Sequence, residues 1–512
     1  MADGGPAPLP AGKRRLASRG RQGLKRAPIP PRQTLKSKYG IDPSLLKKRG
    51  AELPGICSLR TTDLFPDQPE VIYPNEQKGI MAIREETQRM MARVDLSKIK
   101  PRDSVNVLSS HHGFTLLGGE PYAEMLRTIR DVVAERTGCA RISLRVGQGL
   151  RYREGEEFIR RFKLDSHFTN TSALAPIDAG VPIETEIGTL YGTKKAYDAD
   201  WIIHTHNSDV REIHFHRMVD RAVKPFGMSY ARLETRSGYH QNLGPRAANF
   251  MARAIFDSDF VQKKYVCTAF LMVAPSGIVA VDCDNDLYAL NDRVVIAGMK
   301  YYGKIVTLLG SIDSCVAVLD FPAPVPYVFS GGLIYGNFLG ARHDLFDLEK
   351  PLPSYTFYTE AYYGHGDRHL THHVPGINPA LKMTVHNYAF IGYPSEFFAA
   401  KVPTVVVGRE QANLFRHDPQ STAYMDHAVT ADDLDGAVKF ATRLAGTNNI
   451  LIFDGAVGGV NMSESLADIF LKVAPEVSRR VDQELLPRWL KQRGMDPGVL
   501  AAWRTRKYPL AA

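Results

Sequence analysis

From residue 100 onward, short apolar runs alternate with amphipathic stretches. Residues 104–110 (SVNVLSS) read as a buried strand. Residues 120–137 follow at helical spacing, with Met125, Leu126, Ile129, Val132 and Val133 on one stripe. Residues 141–146 (RISLRV) return as a strand, and 200–204 (DWIIH) form another after a long polar stretch. Residues 246–257 read as a helix. A hairpin is expected at 266–274 and 278–282, turning at Pro275-Ser276-Gly277, with a helix at 289–302 behind it. Further strands are predicted at 314–320, 403–407 and 449–453, and helices at 431–445, 463–473 and 477–492. Strand–helix–strand succession implies sheets covered by helices. The fold class expected is α/β: two α/β domains with mixed sheets and an active-site cleft between them. The boundaries expected are 1–55 for a disordered basic arm, 56–262 for the first domain and 263–512 for the second. Residues 321–380, rich in Pro, Gly, Tyr and His, show weak periodicity and read as a functional loop region.

Charge changes the picture only at one end. The net charge of +9 is not spread over the chain. Residues 1–60 hold 14 Lys and Arg against three Asp and Glu, so this tail alone carries about +11 and the remainder sits near −2. A body so close to neutral argues against nucleic-acid binding. The tail (KRRLASRGRQGLKRAPIPPR) has no apolar core and does not read as a secretory signal. No run reaches the length of a membrane span, so no membrane association is expected. Cys57, Cys139, Cys267, Cys283 and Cys315 are odd in number, scattered and free of any CxxC. They point to a reducing, cytoplasmic setting and away from a disulfide framework or thiolate zinc site.

The 16 histidines cluster. His111-His112, His204, His206, His214, His216 and His240 follow predicted strands, and His365, His369, His372 and His373 form a later group. Two His-x-His pairs, HTH at 204–206 and HFH at 214–216, suit a zinc, nickel or iron site. On this reading the chain is a metal-dependent hydrolase or lyase. Asp209, Glu212 and Asp220 lie nearby, in no recognisable hydrolase pattern. Glycines in 452–460 (IFDGAVGGV) could cradle a phosphate, or simply turn the chain at a domain edge. The aromatic run 355–365 could line a pocket or pack as a strand.

A longer spacing carries more. Residues 214–240 run HFHRMVDRAVKPFGMSYARLETRSGYH. His214-Phe215 opens the segment, Lys224 stands ten residues on, Glu234-Thr235 follows, and His240 closes it. With YDADWII at 197–203 and GVPIETEIGTLY upstream, this segment resembles the nickel-dependent lactate racemase family. The resemblance holds its spacing over 197–240 and extends loosely over 100–310. It implies a nickel pincer nucleotide tethered to Lys224, nickel bound by His240, and His214 acting as acid/base on the substrate hydroxyl. The implied substrate is a small anionic 2-hydroxy acid, racemised or epimerised. The residue types suit those roles: a flexible amine can be acylated, and a neutral imidazole binds nickel.

Departures from the family pattern are specific. Racemisation needs acid/base groups on both faces of the substrate. The family's second histidine falls in Gln148-Gly149-Leu150-Arg151, where Leu150 cannot move a proton. His111 or His112 is the candidate replacement. Arg151, Arg217 and Arg221 are candidate cations for the anionic substrate. MVDRAV stands where the family has a glycine-rich turn, and the family's Tyr-Gln-x-x-Lys clamp has no counterpart in the second half. A catalytically silent cofactor-binding relative is the remaining alternative.

Overall fold

The apolar runs become the inner strands of two separate mixed sheets in the computed structural model. The structure describes residues 47–73, 79–115, 119–147, 154–208, 220–238, 248–321, 329–330, 333–350, 378–389, 402–417 and 424–495. β1 (Ile56–Arg60) comes first. β2 (Ser104–Ser110), β3 (Arg141–Gly147) and β4 (Asn170–Leu174) follow. Next come a hairpin of β5 (Gly180–Thr185) and β6 (Gly188–Thr193), then β7 (Trp201–Asn207), β8 (Tyr265–Ala274) and β9 (Gly277–Asp284). The second half holds β10 (Cys315–Phe321), a short ribbon of β11 (Phe329–Ser330) and β12 (Leu333–Ile334), and β13 (Leu381–Ala389). It ends with β14 (Thr404–Val407), β15 (Ala428–Ala431), β16 (Ile450–Phe453) and β17 (Gly459–Ser463).

The first sheet has the order β4-β3-β2-β7-β8-β9, parallel except for β9. The second has the order β1-β17-β16-β10-β13-β14-β15, in which β17 alone runs against the others, antiparallel to both β1 and β16. All ten residues of β8 are buried, as expected for a strand covered on both faces. On one face, Val107, Leu144 and Ile203 pack with Leu126, Ile129 and Val133 of the helix Glu120–Thr137. On the other, Leu108, Ile202 and Phe270 pack with Phe226 and Tyr230. Each such side chain contributes roughly 1.5–3 kcal/mol of burial.

The helix expected at 289–302 runs from Leu287 to Leu309. Asp286 caps it, accepting from the Tyr288 and Ala289 amides at 2.9 and 3.1 Å. Its first turns (Leu287, Leu290, Val294) pack on the first sheet, and Val295, Met299 and Tyr302 pack on the second. It therefore carries the chain from one sheet to the other. The segment after β1 makes the same crossing: the Ile72 amide donates to the Ile278 carbonyl at 2.9 Å. The division suggested at 262/263 does not coincide with sheet membership. β8 and β9 complete the first sheet, and β1 lies at the edge of the second. A further difference lies at Pro475. Two helices were expected around it; Glu464–Arg480, the π-turn Val481–Leu485 and Leu486–Gln492 follow one another directly. Leu466, Phe470, Ala474, Val477 and Val481 keep one buried stripe across the proline, and that packing outweighs the lost amide.

Both sheets reverse direction at their first central strand. From β2 the chain moves out through β3 and β4, then returns to β7 on the other side. From β10 it moves out through β13, β14 and β15, then returns to β16. The carboxyl ends of β2/β7 and of β10/β16 are thus topological switch points, where open α/β sheets bind ligands. The β8–β9 turn, at the carboxyl edge of the first sheet, meets the β16–β17 turn at the carboxyl edge of the second. A methyl group on Gly458 would come within 2.7 Å of the Ser276 carbonyl oxygen, and Gly458 has φ +73°. The Thr61 amide donates to the Gly458 carbonyl at 3.0 Å.

Candidate functional site

At the first switch point, β2 ends at Ser109-Ser110 and leads directly into the turn His111–Thr115. His111 and His112 therefore stand at the carboxyl edge of the sheet, with His112 half-buried. Beside them β7 ends in His204, Thr205, His206 and Asn207, all buried. Alternation sends these side chains to opposite faces. Thr205 pairs with the Tyr122 hydroxyl at 2.8 Å and donates to the Leu108 carbonyl at 2.9 Å, tying β7 to β2 and to the helix Glu120–Thr137.

His204 faces the other way, among Phe226, Tyr230 and Phe270. Its Nε2 lies 2.9 Å from the Ala222 carbonyl and so carries the proton that it donates. Its Nδ1 then accepts from the Tyr230 hydroxyl at 2.9 Å. Burial pushes its pKa down to about 3. Both ring nitrogens are committed, so His204 is a neutral packing and positioning residue. The four-histidine metal set loses this member. Among the described residues, no group of three His, Cys, Asp or Glu side chains could hold a metal ion.

The segment 220–238 is folded onto this same face. Asp220 adopts a left-handed conformation, φ 51°, and its carbonyl accepts from the Val223 and Lys224 amides at 3.1 and 3.3 Å. Its carboxylate is held by the Arg253 guanidinium, with Nε at 2.6 Å. Asn291, on the long crossover helix, accepts from the Ala222 amide at 3.0 Å. Lys224 opens the short helix Lys224–Gly227, with Pro225 in its first turn. Its side chain is buried, at 8% exposure. Phe226 anchors this helix in the core. Ser229 Oγ then donates to Ser110 Oγ at 3.2 Å, fastening the segment to the end of β2. The end of β3 lies underneath: a methyl group on Gly147 would fall 2.6 Å from the Ser229 carbonyl oxygen. The fully buried Arg236 holds the turn, its Nε on the Ala231 carbonyl at 2.8 Å and Nη2 on the Ser229 carbonyl at 3.2 Å. Burial lowers its pKa to about 10.

The structure thus brings the Lys224 segment, the His111-His112 turn and the ends of β3 and β7 to one edge. Thr235 of the Glu234-Thr235 pair is buried and accepts from the Tyr191 amide at 2.8 Å, whereas Glu234 is exposed beside Arg232. Arg221 is buried, not a surface residue. His214, His216, Arg217, His240, the stretch Gln148–Arg151 with Leu150, the run 355–365 and His365, His369, His372 and His373 lie outside the described residues. In 452–460 the glycines turn β16 back into the antiparallel β17, so the turn at a domain edge is the reading that fits. None of the five cysteines forms a disulfide.

One polar cluster escaped the sequence reading. An aspartate stands at the carboxyl end of each of β10 and β16: Asp320 is the last residue but one of β10, Asp454 directly follows β16, and both are fully buried. Arg49 reaches them from the start of the described chain, its Nε 2.9 Å from Asp320 Oδ2. The available signal was a lone acid closing each apolar run, CVAVLDF and ILIFD.

No protein-family model matches the chain, and no curated protein matches it. Among the described residues, no helix is long and apolar enough to cross a membrane.

Proposed function

We propose that this chain is a nickel-pincer-nucleotide enzyme that racemises or epimerises a small anionic 2-hydroxy acid, in the manner of lactate racemase. The observation that carries the reading is the fastening of the Lys224 segment to the first switch point. The Ser229–Ser110 contact and the His204–Ala222 contact hold it over the ends of β2, β3 and β7. A ligand-binding edge with a lysine-bearing segment built onto it fits a covalently tethered nucleotide. The donor types fit as well: an amine at Lys224 for the tether and an imidazole at His240 for nickel.

In this reading the nucleotide, when bound, supplies a ring that accepts and returns a hydride. The chain supplies the rest. His214 takes the proton from the substrate hydroxyl oxygen and later returns it. His111 or His112, directly after β2, serves the opposite face in place of the histidine that Leu150 replaces. The adjacency of β2 and β3 supports that substitution of one loop for the other. Arg151, Arg217 and the buried Arg221 are the cations offered to the substrate carboxylate. A reducing cytoplasm suits five unpaired cysteines.

The test is mass spectrometry of the protein purified from its own host, with metal quantification and a peptide map across Lys224. Nickel together with a nucleotide-sized adduct on Lys224 is the expected result. Unmodified Lys224 with stoichiometric zinc or iron would move the assignment to a metal-dependent hydrolase or lyase, which would have to do without His204. Unmodified Lys224 and no metal, in a host that loads a genuine racemase, would leave a silent relative.

A further inference from the structure

The second switch point, at the carboxyl ends of β10 and β16, is filled by the chain itself. Residues 47–52 run across the sheet from its β1 edge. A methyl group on Gly50 would lie 2.8 Å from Ile452 Cγ2 and 3.3 Å from Val318 Cγ1, so the segment lies flat on β16 and β10. Asn387 of β13 donates to the Lys48 carbonyl at 2.9 Å, and Lys48 Nζ reaches Asp435 Oδ2 at 2.7 Å. Between these contacts the Arg49 guanidinium enters the switch point. Nε donates to Asp320 Oδ2 at 2.9 Å. Nη2 donates to the carbonyls of Asp320 and Asp454 at 3.0 and 3.2 Å.

The sheet itself orients the receptor. Asn387 Nδ2 holds Asp320 Oδ1 at 2.9 Å, and the strap adds the Gly50 amide, which donates to Oδ2 at 2.7 Å. Asp454 is fixed by the Ala456 amide at 3.1 Å and by Asn461 Nδ2. One oriented carboxylate and two carbonyls on adjacent strand ends match the fork of a guanidinium.

The segment that carries the arginine is self-contained. Its turn closes on itself: the Glu52 amide donates to the Arg49 carbonyl at 3.0 Å, and the Arg49 amide donates to Glu52 Oε2 at 2.6 Å. Among the described residues it makes no ladder bond to the sheet, so lifting it breaks none of the described strand pairings. The sheet proper begins only at Ile56, paired with Ser463.

We propose that residues 47–52 are a releasable strap whose Arg49 occupies a preformed guanidinium receptor, closing the ligand-binding edge of the second sheet until the strap lifts. In sequence the strap follows directly on the basic stretch 1–46. The device does not depend on the nickel reading.

Hydrogen exchange on the full chain tests it, with Arg49→Ala and Asp320→Asn beside the wild type. Exchange of the 47–53 amides should rise about tenfold in both variants, while β10 and β16 stay protected. Ethylguanidinium at millimolar concentration should raise the thermal midpoint of Arg49→Ala and leave the wild type unchanged. Asp320→Asn keeps the test open if Arg49→Ala fails to fold, because it removes the fully buried carboxylate and leaves the unpaired charge on Arg49, which reaches water when the strap lifts. Unchanged protection of 47–53 in the variants would overturn the proposal. So would loss of 47–53 protection only together with β10 and β16, or the absence of any ethylguanidinium effect on a folded Arg49→Ala.

Discussion

Replacing Lys304 with methionine should cost the protein about 2–3 kcal/mol. Lys304 lies on the crossover helix with its side chain wholly buried. Its ammonium donates to Asp67 Oδ2 at 2.7 Å, Asp482 Oδ2 at 2.8 Å and Ser478 Oγ at 2.9 Å. Asp67 belongs to the other crossing segment and Asp482 to the π-turn of the last helices, so one cation pins three elements. Methionine preserves the volume and deletes the charge. Removing one partner of a fully buried pair costs roughly 3–5 kcal/mol, because the other charge is stranded. Here Asp67 and Asp482 keep 39% and 25% of their side-chain surface in water, so hydration relieves part of that penalty. The result is a fall in thermal midpoint of about 5–10 °C, followed by calorimetry with urea unfolding alongside. Adding Asp482→Asn to Lys304→Met should recover about 1 kcal/mol, since Asp482 is the stranded charge whereas Asp67 keeps Lys300 at 3.5 Å. A Lys304→Met midpoint within about 2 °C of wild type would refute the reasoning, and equal losses in the single and double variants would refute the stranded-charge account.

Three further outcomes follow from the same geometry. Burial holds both His204 and His386 near pKa 3, well below the ordinary 6.5, so the unfolded chain binds their protons first as pH falls. Stability should therefore drop between pH 6.5 and 3, and His386→Gln should flatten the slope by about 1.4 kcal/mol per pH unit between pH 6 and 4 in urea titrations. Asp320 behaves in the opposite sense. Its burial raises its pKa to about 6 against the Arg49 contribution, so the folded state gains protons first. The stability of wild type relative to Asp320→Asn should rise by about 2–3 kcal/mol as pH falls from 7 to 4; a flat difference would contradict the burial argument. Gly458→Ala forces a side chain into φ +73° and against the Ser276 carbonyl. It should lower stability by about 1–3 kcal/mol, measured by thermal unfolding, and loosen the contact between the two carboxyl edges.

The alternation of apolar runs with amphipathic stretches determined the fold class, because a covered central strand must be continuously apolar. SVNVLSS, VCTAFLMVA and CVAVLDF each became such a strand. The free state of the cysteines was likewise legible from their spacing. The edge strand β1 and the half-exposed β5–β6 hairpin were not, because strands solvated on one side carry little apolar signal. On the candidate site, the sequence located Lys224 and His111-His112 but could not say that they share an edge. That depends on β7 returning beside β2, a pairing of residues nearly a hundred positions apart. Nor could it separate His204 from a metal ligand. Only the Ala222 carbonyl and the Tyr230 hydroxyl, brought to its two nitrogens by packing, decide that. The Arg49–Asp320 contact spans 271 positions and leaves no periodic trace. Local patterns record which face of an element avoids water; which charges end up paired inside is decided when the strands are ordered in space, because a charge must find its partner in the low-dielectric interior or stay out of it.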